Sequence, residues 1–223
     1  MGTTIKLKAK DGQEIAAYKA EPAGKPKGGI VVIQEIFGLN KHIKDVADRI
    51  AKEGYLAIAP ALFDRVKPGV DLGYEQTDMQ EGFGYMQKVG NEAPMMDIQA
   101  AADELKKLGV GKVGAIGFCW GGQLAWMAAK HVTLDASVGY YGVAVHQTLQ
   151  PPPKCPVLLH FADKDAFVPP EAADQVRKAY PKMEIYSYPA NHGFNCDLRS
   201  DYHEPSAKTA WQRTMDFFKK TVG

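Results

Sequence analysis

The segment Gly117-Phe118-Cys119-Trp120-Gly121-Gly122 constrains this chain more than any other. It follows the run Lys112 to Ile116 and opens an alanine-rich helical stretch. A strand, a sharp turn with one reactive side chain at its tip and a following helix make a nucleophile elbow, here with cysteine at the tip. Such a turn leaves almost no room beside the backbone, so small residues must flank the nucleophile. Gly117 and Gly121 meet that need, and Gly122 lets the helix pack close to the sheet. The plain alternative is a buried core cysteine in a glycine-rich turn. An elbow makes a stronger demand, for an acid, a histidine and an oxyanion hole in a fixed chain order.

The rest of the chain carries them. A strand over Pro156 to Phe161 leads into Ala162-Asp163-Lys164-Asp165-Ala166-Phe167-Val168-Pro169, and a strand over Glu184 to Tyr188 leads into Asn191-His192-Gly193-Phe194. Nucleophile, then acid, then histidine is the α/β-hydrolase order. Both loops follow strands, which puts them at the carboxyl ends of the sheet, where sites of open α/β folds form. Asp165, just before Phe167-Val168-Pro169, is the favoured acid, with Asp163 as alternate. The other five histidines lack the strand-then-loop placement of His192.

The 223 residues suit one domain spanning 1–223, and 45% apolar residues suffice for a sizeable core. A net charge of +1 with dispersed Lys and Arg gives no reason to expect nucleic acid or an anionic membrane as partner. No apolar run approaches a membrane span, and Met1 to Lys10 lacks the apolar core of a signal peptide. Three cysteines without regular spacing argue against a disulfide framework. The expectation is a cytoplasmic monomer with reduced thiols.

Thr4 to Ala9 and Ile15 to Ala20 alternate around Asp11-Gly12 and predict an N-terminal hairpin. Ile30 to Gln34 is a strand buried on both faces. Asn40 caps a helix carrying Ile43, Val46, Ala47 and Ile50, and Tyr55 to Ala59 is a short strand. Residues 60 to 93 are glycine-rich and weakly periodic, which predicts a long active-site loop with a short helix. Helices follow over Met95 to Leu108, 120–130, 170–180 and 205–220, with strands over 112–117, 136–141, 156–161 and 184–188. The alternation predicts an α/β fold with a mostly parallel sheet, an N-terminal hairpin and helices on both faces.

Acyl transfer needs a nucleophile, a base for its proton and donors for the tetrahedral oxyanion. Cys119 supplies sulfur, His192 takes the thiol proton, and Asp165 fixes the imidazole tautomer. The backbone N–H groups of Trp120 and Ile36 are the oxyanion donors. Glu35, at the end of a buried strand, either turns to solvent, caps the next helix, or stands beside the thiol. His192 and Cys196 without a second ligand pair make a poor zinc site, so neither a metal nor an organic cofactor is expected.

These segments together resemble the dienelactone hydrolase family, or carboxymethylenebutenolidases, nearly end to end. The resemblance rests on Gln34-Glu35-Ile36-Phe37-Gly38, Gly114 to Gly122, Val138-Gly139-Tyr140-Tyr141-Gly142-Val143, Asp165 to Pro169 and His192-Gly193-Phe194. It implies an α/β-hydrolase that cleaves a small ester or lactone, a Cys119–His192–Asp165 triad, and a Glu35 that interacts with the resting thiol. Dienelactone-cleaving members carry an arginine four residues after the histidine, where this chain has Cys196, and a second in a stretch that corresponds to Leu72 to Lys88, which has none. Arg65, Lys67 and Arg199 are the cations left to hold an anionic substrate. The rival expectations are a catalytically silent ligand receptor on the same fold and a thiol redox protein.

Overall fold

The computed structural model describes residues 2–223; Met1, counted in the 1–223 domain expectation, lies outside the described residues. Eight strands form one sheet: β1 (Thr3–Lys8), β2 (Glu14–Ala20), β3 (Gly29–Ile33), β4 (Leu56–Pro60), β5 (Val113–Phe118), β6 (Ala136–Tyr140), β7 (Val157–Ala162) and β8 (Glu184–Tyr188). Their order is β1-β2-β4-β3-β5-β6-β7-β8. The β1–β2 and β2–β4 pairs are antiparallel, and every other pair is parallel. Six helices accompany the sheet: α1 (Lys41–Lys52), α2 (Gln76–Val89), α3 (Ala93–Lys107), α4 (Trp120–His131), α5 (Ala172–Ala179) and α6 (Glu204–Thr221).

Strand β3 shows why the sequence folds this way. Every residue of Gly-Ile-Val-Val-Ile is buried. Ile30 and Val32 join a core with Ile43, Val46 and Ile50 of α1 and with Phe217 and Phe218 of α6. Val31 and Ile33 face the other way, among Ile98, Ala101 and Leu105 of α3 and Leu124 and Ala128 of α4. A strand covered on both faces cannot alternate polar with apolar residues, so its run is continuous. The predicted cap of α1 is present: Asn40 Oδ1 accepts from the Ile43 N–H at 3.2 Å.

One element departs from expectation. The segment predicted as loop with a short helix contains the 14-residue helix α2. Its start is a capping box, with Asp78 Oδ2 accepting from the Glu75 N–H at 3.1 Å. Gly82 and Gly84 lower its helix propensity, and its apolar residues Met79, Phe83 and Met86 line a cavity, with Met79 and Met86 also at the edge of the core.

Candidate active site

The carboxyl ends of β3, β5, β7 and β8 converge on Cys119. Strand β5 ends at Phe118, and α4 begins at Trp120. Cys119 between them holds φ 56° and ψ −120°. A non-glycine residue so placed costs about 1–3 kcal/mol and persists only where its surroundings enforce it. They do: a Cβ on Gly117 would lie 1.9 Å from the Gly121 carbonyl oxygen, and one on Gly121 would lie 2.3 Å from that of Gln34. The two glycines let the elbow close and seat it against the end of β3.

The structure brings His192 and Asp165 together. His192 Nδ1 lies 2.8 Å from Asp165 Oδ2, and the Asp165 side chain is fully buried. The other oxygen, Oδ1, accepts from the Phe167 N–H at 2.8 Å and the Val168 N–H at 3.1 Å. Three bonds fix this carboxylate, whereas Asp163, two residues away, is exposed. His192 Nε2 is buried without an aligned hydrogen bond, but the Cys119 sulfur is close enough to act on the ring. Burial pulls the imidazole pKa down. The Cys119 sulfur, as charge and acceptor, and Asp165 outweigh burial and raise it to about 10. A loose thiol–imidazole contact is ordinary in a resting site and tightens when substrate arrives.

The two residues expected to supply oxyanion donors line the same cavity as the sulfur. Trp120 is the first residue of α4, where an N–H has no intrahelical acceptor. Ile36 sits in the loop after β3. Among the described residues neither amide is engaged in a backbone hydrogen bond.

Glu35 neither turns to solvent nor caps α1, since its side chain is fully buried. Its Oε2 accepts from Tyr74 Oη at 3.4 Å, and Oε1 lies 3.8 Å from Arg199 Nη1. Burial raises its pKa, opposed by the Arg199 and His192 charges and the Tyr74 hydroxyl. No hydrogen bond joins it to Cys119 among the described residues; the hydroxyl that donates to it is that of Tyr74.

The cavity over Cys119 measures about 250 Å³ and is walled largely by Phe37, Met79, Phe83, Met86, Val143 and Phe167. Arg199 is the one candidate cation that reaches it. Arg65 is held at 2.7 Å by both Asp97 and Asp11, and Lys67 pairs with Glu81 at 3.4 Å on the surface. Arg199 is itself engaged by Glu35 and, at 3.4 Å, by Asp201. Sequence reasoning missed Tyr74, whose hydroxyl also lies 3.2 Å from Cys196 Sγ, and Tyr141, whose ring packs 5.0 Å from that of His192. No local pattern marks Tyr74, and Tyr141, though within the Val138 to Val143 segment, has no role assigned there; only the fold brings both here. No described helix is long and apolar enough to cross a membrane.

The fold and this elbow define an α/β-hydrolase. The model of the dienelactone hydrolase family matches residues 15–222. The chain is 35% identical to a Synechocystis "Putative carboxymethylenebutenolidase", over 97% of this chain and 96% of that one. It is 32% identical to a Pseudomonas putida carboxymethylenebutenolidase, over 96% and 94%. Its fold matches the crystal structure of a Klebsiella pneumoniae "Putative Dienelactone Hydrolase" with TM-score 0.84 at 34% identity, covering 98% and 99% of the two chains. The chain therefore belongs to the dienelactone hydrolase family and is a dienelactone hydrolase-like hydrolase.

Proposed function

We propose that the chain cleaves small carboxylic esters or lactones through an acyl-enzyme on Cys119. The observation that carries this is the strained elbow cysteine on the wall of an apolar cavity, beside a histidine whose far nitrogen is fixed by a buried carboxylate. The Cys119 sulfur attacks the carbonyl carbon with its proton already held on His192 Nε2, and the imidazolium is stabilised by Asp165. The carbonyl oxygen gains negative charge between the Ile36 and Trp120 amides. Collapse of the tetrahedral adduct expels the alkoxide or phenoxide, which takes the proton from His192. Water, deprotonated by the same imidazole once the leaving group has taken its proton, then hydrolyses the thioester and returns the sulfur and the imidazolium to their starting state. Glu35 acts at one remove, holding Arg199 in the cavity wall.

The substrate is small because the cavity is small, and its body is apolar because Met79, Phe83 and Met86 face it. Arg199 already meets two carboxylates, so a further anion gains little from it. Neutral short-chain aryl esters are therefore turned over at least as well as carboxylate-bearing lactones. The redox rival is disfavoured because burial pushes both other thiols, Cys155 and Cys196, up to about 11, which slows thiol exchange. The test is steady-state hydrolysis of phenyl acetate and of a dienelactone. A kcat/KM for the dienelactone about 10³-fold higher, equal to about 4 kcal/mol, overturns the substrate assignment, and inactivity on all esters supports the silent receptor.

A further inference from the structure

Glu35, His42 and Cys196 come from the loop after β3, the first turn of α1 and the loop after β8, yet each places one ligand atom within 4.8 Å of the others. All three side chains are buried. Buried polar atoms are normally satisfied, but neither ring nitrogen of His42 and not Glu35 Oε1 has a hydrogen-bond partner among the described residues. We propose that Glu35, His42 and Cys196 form a binding site for one borderline-soft divalent cation of the Zn²⁺ class, adjoining the catalytic cavity.

The donor set selects the ion. Imidazole nitrogen with cysteine sulfur suits Zn²⁺ and its neighbours, whereas Mg²⁺ and Ca²⁺ demand oxygen throughout. With metal–nitrogen and metal–sulfur bonds of about 2.0 and 2.3 Å, ligand atoms of a tetrahedral ion stand about 3.3–3.8 Å apart. The cluster needs only a small contraction, within the reach of side-chain rotation. Burial holds the imidazole in its neutral, ligating form, with its pKa lowered to about 3. Asp197 lies beside this ring, Oδ1 3.9 Å from Nδ1, a carboxylate of the kind that orients metal-bound histidines. One carboxylate and one thiolate neutralise the dication. The sulfur–metal bond forms as Cys196 releases its thiol proton to solvent, with no change of oxidation state. Three protein ligands leave a fourth position beside the Tyr74 hydroxyl, which touches both Cys196 and Glu35. Arg199, near Glu35 Oε1, opposes the ion, so the cation competes with the Arg199–Glu35 pair.

The test uses the full chain, stripped of metal by a chelator and titrated with Co²⁺ under reducing conditions. The expected result is one Co²⁺ per chain, with thiolate-to-cobalt charge-transfer absorption that Zn²⁺ displaces. Cys196→Ser and His42→Gln should each weaken binding by more than about 100-fold, since losing even an outer partner of a ligand costs about 10–100-fold. Cys119→Ala and Cys155→Ser should leave it intact, which keeps the outcome independent of the acyl-enzyme reading. In the unmodified chain Zn²⁺ should slow alkylation of Cys196, read by mass spectrometry, so the proposal survives a variant that fails to fold. Absence of the charge-transfer band, a band that survives Cys196→Ser but is lost in Cys119→Ala, or Cys196 alkylation indifferent to Zn²⁺ would each overturn it.

Discussion

Gly82 of α2 offers the sharpest separation of stability from activity. A Cβ there would lie 2.0 Å from the Ile36 carbonyl oxygen and 3.0 Å from its carbonyl carbon. Both belong to the backbone, so the contact is relieved only if α2 or the Ile36 segment retreats by more than about 1 Å, to the ordinary contact distance of about 3.5 Å. The N–H of the same residue, one Cα away, is the proposed oxyanion donor. Losing such a donor costs about 10²–10³ in kcat, and a displacement of about 1 Å alone can cost about 10². Stability moves less. Alanine in place of glycine favours a helix by about 0.8–1 kcal/mol, against about 1–3 kcal/mol for overpacking. Gly82→Ala should therefore lower kcat/KM for phenyl acetate by about 10–100-fold while Tm falls by no more than about 8 °C, at about 2–4 °C per kcal/mol for a chain of this size. Gly84, two residues on, is the control, because a Cβ there meets nothing within 4 Å. Gly84→Ala should raise Tm by about 2–4 °C with activity unchanged. Unmodified-level activity in Gly82→Ala, with Tm unchanged, would refute the coupling of α2 to the Ile36 amide.

Asp165→Asn should lower kcat strongly, toward the factor of about 10⁴ that an orienting carboxylate contributes in serine triads, while exposed Asp163→Asn should not; equal mild effects would remove Asp165 from the triad. Because the folded pKa of His192 is raised from 6.5 to about 10, its imidazolium contributes stability that is fully present below about pH 6.5 and lost as pH rises toward 10. Nitrogen NMR should find this ring protonated above pH 8, and Cys119→Ala should lower its pKa; an unchanged titration would mean the sulfur does not act on it. Glu35→Gln should raise the rate of Cys119 alkylation if the buried carboxylate restrains the thiol through space, and an unchanged rate would confine Glu35 to its contact with Arg199.

The elbow, the acid-then-histidine order and both faces of the sheet were legible because each is written locally. Val31 beside Val32 already requires cover on two sides, and Gly117 and Gly121 already require a turn without room for side chains. Its place before Phe167-Val168-Pro169 favours Asp165 over Asp163 in the sequence; the physical difference lies in the Phe167 and Val168 amides, which converge on one carboxylate only. Helix α2 was hidden because Gly82 answers to a tertiary contact with Ile36 rather than to helix propensity. The surroundings of Glu35 were hidden for a similar reason. Tyr74, His42, and Cys196 with Arg199 reach it from three segments, and no periodicity in the chain records that meeting.

Intact-protein mass spectrometry during turnover tests the central claim most directly. With p-nitrophenyl acetate in excess and an acid quench, one acetyl group should be found per chain, on the peptide that contains Cys119 and removable by hydroxylamine. It should accompany a stoichiometric burst of p-nitrophenol. Cys119→Ala should show neither adduct nor turnover. An acetyl group on another residue that forms and decays at the turnover rate, or full activity in Cys119→Ala, would contradict the acyl-enzyme at Cys119.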